Sequence, residues 1–176
     1  HQNGKQELEY MQFGLIPFFE KNPVPKKVFH NARMETLTEK ASFKRAFQER
    51  RCLVLIKSFF EYIWKSADEW NLLQFSEKKD DVIYAAGIWE EWTGLEGNKI
   101  KSFAILTQEP PGFIKSAGHD RCPIFLPEHL HAAWIEPGRK EPLELYRILR
   151  QPLEVDWKQQ TAATKEAAQI DFLSGL

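Results

Sequence analysis

Two cysteines in 176 residues exclude a disulfide framework. Cys52 stands in an apolar run and Cys122 follows His119, Asp120 and Arg121, at no metal-ligand spacing. Reduced thiols in a cytoplasmic protein are the expectation. No apolar run approaches the ~18 residues of a membrane span, and no signal peptide opens the chain, so no membrane partner is expected. Charge of either sign is also lacking in excess. With 24 basic and 25 acidic residues the net charge is -1, and no global field draws the chain onto a polyanion; nucleic-acid binding would need a local patch. There is no internal repeat. An initiator methionine is missing too, since the sequence starts at His1, and the true N-terminus is expected to lie upstream.

What is present is a hydrophobic content of 43%, enough for one domain with a real core. The chain is organised around RCLVLIKSFFEYIW, residues 51–64. Its continuous apolar run, 52–56, reads as a strand buried on both faces. Glu61 then falls where that strand leaves the core, between Phe60 and Tyr62, and an ionised carboxylate there needs a partner or a raised pKa. The alternative is that the strand ends at Ser58 and Glu61 faces water.

Before this stretch, 11–16 reads as a short strand stopped by Pro17, which leaves Phe18 and Phe19 on a loop where both cannot be buried. Residues 28–31 read as extended, with Asn31 and Arg33 on one side. A helix is expected from about Thr38, with Glu39 in its first turn and Phe43, Ala46 and Phe47 as its buried stripe. After it come strands over 71–75 and 82–88 with a hairpin tip at 78–81, a loop over 90–99 holding Trp92, and a strand over 102–106. Residues 110–118 read as irregular, and Pro127 opens a helix with Leu130, Ala133 and Trp134 inward. Residues 143–149 read as helix or strand, and the alanine content of 161–173 favours a helix. Short apolar runs joined by turns imply an α+β fold, a single domain with a curved, mostly antiparallel β core and flanking helices; the alternative is a small three-layer α/β protein.

Five polar residues have no evident structural duty: Asn31, Arg33, Glu61, His119 and Arg121. A carboxylate and an imidazole beside apolar strands can exchange protons near neutral pH. An asparagine can hold a hydroxyl, and two guanidiniums can clamp a phosphate. Each also has a plain reading. Asn31 and Arg33 can cap the following helix or pair with Glu35, His119 can bond to the backbone, and Arg121 can pair with Asp120.

The motifs FGLIPFF at 13–19, NARMET at 31–36, FFEY at 59–62, YAAGIWE at 84–90, SFAILTQE at 102–109 and GHDRCPIFL at 118–126 resemble, in order and spacing, the SOS-response-associated-peptidase (SRAP) family. The resemblance covers about residues 11–135. It implies recognition of abasic sites in single-stranded DNA, and a covalent crosslink through a cysteine at position two that also serves a self-processing peptidase activity. It implies further that Asn31 positions the sugar, that Arg33 and Arg121 contact phosphates, and that Glu61 and His119 are catalytic. Phe18 and Phe19 would wedge against bases. Tyr62 stands where the family usually has tryptophan, and Cys122 where it commonly has methionine. The expected organisation is one SRAP-like domain over 1–176 without its N-terminal cysteine segment, its part from 139 to 176 divergent. No cofactor or metal is expected, and the chain is expected to be a monomer. Two other functions stay open: a non-catalytic single-stranded DNA-binding module that has lost the nucleophile, and an unrelated hydrolase using Glu61 and His119 with water.

Overall fold

A computed structural model describes residues 7–22 and 28–166. In chain order its elements are β1 (Gln12–Phe13), β2 (Asn31–Arg33), a 3-10 turn (Met34–Thr36), α1 (Ala41–Glu49), β3 (Arg51–Ile56), β4 (Ser58–Trp64), β5 (Trp70–Glu77), β6 (Ile83–Thr93), β7 (Lys99–Gln108), α2 (Gly112–Ser116), β8 (Cys122–Pro123), α3 (Glu128–Ile135), α4 (Pro142–Leu149) and β9 (Trp157–Lys165).

The strands form two sheets. In the larger one β3, β6 and β7 run antiparallel, β8 pairs antiparallel with the end of β7, and the short β1 and β2 pair with β7 in parallel. The smaller sheet is β4–β5–β9, all antiparallel. Strand alternation gives β6 and β7 two working faces. Ala86, Ile88, Ala104 and Leu106 face one core with Phe43, Phe47, Trp134, Leu145 and Leu149 of the helices. Ala85 and Ile105 face a second core with Leu73, Phe75, Phe59 and Ile63 of the smaller sheet. The fold is therefore α+β, with an antiparallel-dominant sheet core and flanking helices, as the short apolar runs implied.

Several local expectations are corrected. The run 52–56 is not buried on both faces: β3 ends the β7–β6–β3 order, and Leu55 is exposed. Glu61 does not sit at a strand end, because the chain bends at Lys57 and re-enters extended structure as β4, where Glu61 pairs in register with Leu73. Residues 78–81 do not close a hairpin; they carry the chain from β5 in one sheet to β6 in the other. β6 runs on through Trp92, which is buried, and the turn is confined to 94–98. α1 begins at Ala41, after Glu39, although its buried residues include Phe43, Ala46 and Phe47. A short helix, α2, occupies the stretch read as irregular. Alanine content misled at 161–173: up to Lys165 this segment is strand β9, paired with β5 along its length. An open sheet edge overrides a propensity difference of a few tenths of a kcal/mol per residue. Residues 167–173 lie outside the described residues.

Candidate functional site

β4 alternates Phe59, Glu61 and Ile63 toward the larger sheet with Phe60, Tyr62 and Trp64 toward solvent. Phe59 and Ile63 join the second core, so Glu61 is carried inward between two apolar neighbours. His119 comes from the far side. It follows Gly118, whose φ is +99° and whose missing Cβ would lie 3.2 Å from Ile63 Cγ2. A side chain is strained at that φ and crowded against β4, so glycine lets the loop turn tightly enough to lay the imidazole on the carboxylate. The His119 Nε2 and Glu61 Oε2 atoms are 2.8 Å apart.

The other imidazole nitrogen is equally provided for. His119 Nδ1 lies 3.1 Å from the Arg121 backbone N–H, which can donate to it, and 2.8 Å from the Arg121 carbonyl oxygen, which can accept from it. A neutral ring with Nε2–H toward Glu61 uses the first contact, and an imidazolium uses the second. Nδ1 thus has a donor and an acceptor within reach at one ring position. Burial pushes the Glu61 carboxyl above its usual range; the nearby imidazole opposes the shift and Asp120 adds to it. A carboxylate with raised affinity for protons, in hydrogen-bond contact with an imidazole, is an arrangement that can pass a proton.

Arg33 and Arg121 meet at one point of β7. Arg33 is in register with Thr107, and Arg121 donates from Nη2 to the Thr107 carbonyl at 2.6 Å. Asn31, two residues before Arg33 on β2, projects to the same side, and both are exposed. Arg121 does not pair with Asp120. It binds Glu35 with both terminal nitrogens, at 3.1 and 3.0 Å, and this bond is the main reason the Glu35 carboxyl is held below its usual range. The Arg121 Nε is buried without a hydrogen-bond partner among the described residues. Arg33 precedes the 3-10 turn without capping it through its side chain. Of the two guanidiniums, then, Arg33 is the exposed one and Arg121 enters the site already ion-paired. Sequence reasoning missed Glu35 as the partner of Arg121, although it sits within the NARMET motif.

Phe18 and Phe19 occupy a turn after Pro17 and are 45% and 50% exposed, both rather than one. Their rings meet edge to face at 5.3 Å and 82°, and the guanidinium of Arg45 from α1 lies 4.4 Å from the Phe18 ring centre. No ring contact or hydrogen bond among the described residues joins this pair to Glu61 or His119. Nor does any cluster of three His, Cys, Asp or Glu among the described residues suit a metal.

The chain's two cysteines lie within β3 and β8, and burial pushes both thiols up to about 12. Neither carries a free α-amine. The expectation of a covalent crosslink through an N-terminal cysteine is therefore corrected for this polypeptide: these residues contain no cysteine able to make it.

Comparison with known proteins agrees with the motifs. The model of the family described as SOS response associated peptidase (SRAP) matches residues 1–166. The chain is 32% identical over 151 residues to the abasic site processing protein YoqW of Bacillus subtilis (strain 168), covering 85% of this chain and 66% of that protein. It is 28% identical over 150 residues to the abasic site processing protein YMR114C of Saccharomyces cerevisiae, covering 81% and 39%. The chain thus spans about two thirds or less of the length of these relatives. Among solved structures, a protein from Bacteroides thetaiotaomicron superposes with a TM-score of 0.73 at 23% identity, covering 86% of this chain and 67% of that one. A protein from Bordetella bronchiseptica does so with a TM-score of 0.72 at 21% identity, covering 87% and 76%. These last two likenesses establish the fold. No described helix is long and apolar enough to cross a membrane.

Proposed function

The chain belongs to the SOS response associated peptidase (SRAP) family, and from that premise we propose that it is a single-stranded DNA-binding module that holds an abasic sugar without a cysteine bond to it. The observation that carries this reading is the 2.8 Å contact between Glu61 and His119, set beside Asn31, Arg33 and Arg121. Asn31 would hydrogen-bond the sugar. Arg33 would take a phosphate directly, and Arg121 would do so in exchange for Glu35. The proton-exchanging pair suits an abasic deoxyribose, whose ring form and open aldehyde differ by one proton taken from the C1′ hydroxyl and one given to the ring oxygen. Glu61 would accept the first and His119 give the second. Phe18 and Phe19 would stack on flanking bases without reading their identity. A chain of net charge -1 would bind through this local patch, and its affinity would fall with salt accordingly.

The test is fluorescence anisotropy of the 176-residue chain with labelled single-stranded, abasic single-stranded and duplex oligonucleotides, followed by denaturing electrophoresis. Both single-stranded forms should bind in preference to duplex, the abasic one more tightly, and no adduct should survive denaturation. Equal binding to duplex would overturn the single-strand reading, and a heat-stable adduct would overturn the non-covalent one.

A further inference from the structure

Glu90 is 1% exposed on β6, where it pairs in register with Ser102, and nothing in the proposed binding chemistry uses it. A carboxylate that deep is costly unless paired. Here it lies between two guanidiniums: Arg50 bonds its Oε2, and Arg45 Nε is 3.9 Å from its Oε1. Arg45 is also 3.6 Å from Glu49, so carboxylates on two elements hold one guanidinium. That guanidinium is the group resting on Phe18.

The turn bearing the aromatic pair is pinned elsewhere as well. At its entrance the Ile16 N–H donates to Ser102 Oγ at 2.8 Å, and Ser102 is fully buried. Within it the Glu20 N–H donates to the Pro17 carbonyl at 2.9 Å. At its exit the indole N–H of Trp92 donates to the Glu20 carbonyl at 2.7 Å, and Trp92 is itself buried in β6. Half-exposed phenylalanines on an untethered loop would fold back onto the surface or sample many positions. These two are fixed at both ends of their turn and backed by a guanidinium.

We infer that Trp92 and Arg45 are positioning residues for base stacking: with Ser102 and the buried Glu90 they form a rigid mount that presents one open face of Phe18 to a nucleobase. The inference rests on the DNA-binding reading above and deepens it. Arg45 covers one face of the Phe18 ring and Phe19 packs against it at 82°, so a base that stacks on Phe18 uses the face away from Arg45. A mounted ring needs no ordering when the base arrives. Ordering a mobile side chain costs affinity, and losing the mount should weaken binding about 2- to 10-fold. Deleting the ring itself should weaken it about 5- to 150-fold.

The experiment is a double-mutant cycle on the whole chain, read by anisotropy with single-stranded oligothymidylate. Trp92→Phe removes the indole donor while keeping an aromatic ring in the buried site, Arg45→Gln removes the guanidinium from a partly exposed site, and Phe18→Ala removes the ring. Each of the first two should weaken binding about 2- to 10-fold in the native background and have no further effect in the Phe18→Ala background, and Arg45→Lys should restore part of the loss. Effects that add independently of Phe18, or no effect of either variant, would overturn the mount. A second measurement needs no DNA: in NMR spectra the Arg45 side-chain resonances should carry a ring-current shift that Phe18→Ala abolishes and Trp92→Phe reduces. An undiminished shift in Trp92→Phe would overturn the mount, whereas the expected shifts in a chain that binds no DNA would overturn only the DNA-binding reading.

Discussion

Replacing Arg51 by methionine tests how α1 and α3 are held to the edge of the larger sheet. Arg51 is buried and makes no ion pair among the described residues; its guanidinium donates to five backbone carbonyls. Phe47 and Gln48 supply two from the last turn of α1, at 3.2 and 2.5 Å. Trp134, Glu136 and Gly138 supply three from the end of α3 and the turn beyond, at 2.9, 2.5 and 3.1 Å. A cation at two converging helix C-termini satisfies orphan carbonyls and opposes both dipoles. Burial pulls the Arg51 pKa down, and the negative charges of Glu144 and Glu136 only partly restore it. Methionine fills the space of the stem and removes all five bonds. Hydrogen bonds to a charged group are worth about 1.5–3 kcal/mol each, but five sharing one donor do not add, and water will reach some of the carbonyls. The expected loss is about 3–5 kcal/mol, from two or so carbonyls left buried and unpaired at about 1–3 kcal/mol each. With a urea slope of about 2 kcal/mol/M, the unfolding midpoint by circular dichroism should fall by about 1.5–2.5 M. Arg51→Lys, with three donors for five acceptors, should lose about half as much. A shift under about 0.5 M for Arg51→Met, or about 1 kcal/mol on the same slope, would refute the view that these carbonyls depend on this cation. Because α1 carries Arg45, the Arg51→Met variant should also weaken DNA binding before it unfolds.

Arg33→Ala should leave thermal stability unchanged, since the side chain is exposed, while lowering the slope of log affinity against log salt by about 0.7 for one lost phosphate contact on single-stranded DNA; the loss should be equal across sequences, and an unchanged slope would remove Arg33 from the interface. Glu61 carries a folded-state pKa raised by burial, so its contribution to stability is fully present below the unfolded carboxyl pKa and is lost as pH rises through the folded one. Glu61→Gln should abolish that decline, and parallel stability–pH curves for the variant and the native chain would contradict it. Glu90 is raised for the same reason, which is why the comparison must be between these two proteins and not against a flat baseline. Cys52 and Cys122, with thiols near 12, should react with a disulfide reagent at pH 8 much more slowly in the native chain than in urea, and fast labelling of either in the native state would show an opening that the fold does not contain.

The fold class, the buried residues of α1 and the exposure of the aromatic pair were legible because each depends on local pattern. Phe43, Ala46 and Phe47 recur at helical spacing, and Pro17 followed by two phenylalanines cannot be packed from a strand. Strand ends were read less well. A single bend at Lys57 transfers the chain from one sheet to another, and the residues on either side are equally apolar, so periodicity shows one stretch where there are two strands. The same holds for 78–81, where a turn signature is identical whether the flanking strands pair with each other or with different partners. In β9, alanine and threonine residues of mixed propensity follow the open edge of β5, a partner about ninety positions away.

The site divides along the same line. The sequence by itself singled out the candidates for chemistry, because an asparagine, two arginines, a glutamate and a histidine stand at places where apolar neighbours leave polar groups no local duty. It determined too that no cysteine of this chain lies outside an apolar or strand context. Only the tertiary structure decided that Glu61 and His119 touch, that Arg121 is already bound by Glu35, and that Glu90, Arg45 and Trp92 support a turn to which no motif connects them. The reason is geometric. A residue's chemistry is covalent and travels with the letter, whereas its partner is set by which two sheets and which loop pack together, and here that depends on a bend at Lys57 and a positive φ at Gly118 whose consequences appear only when distant strands pack.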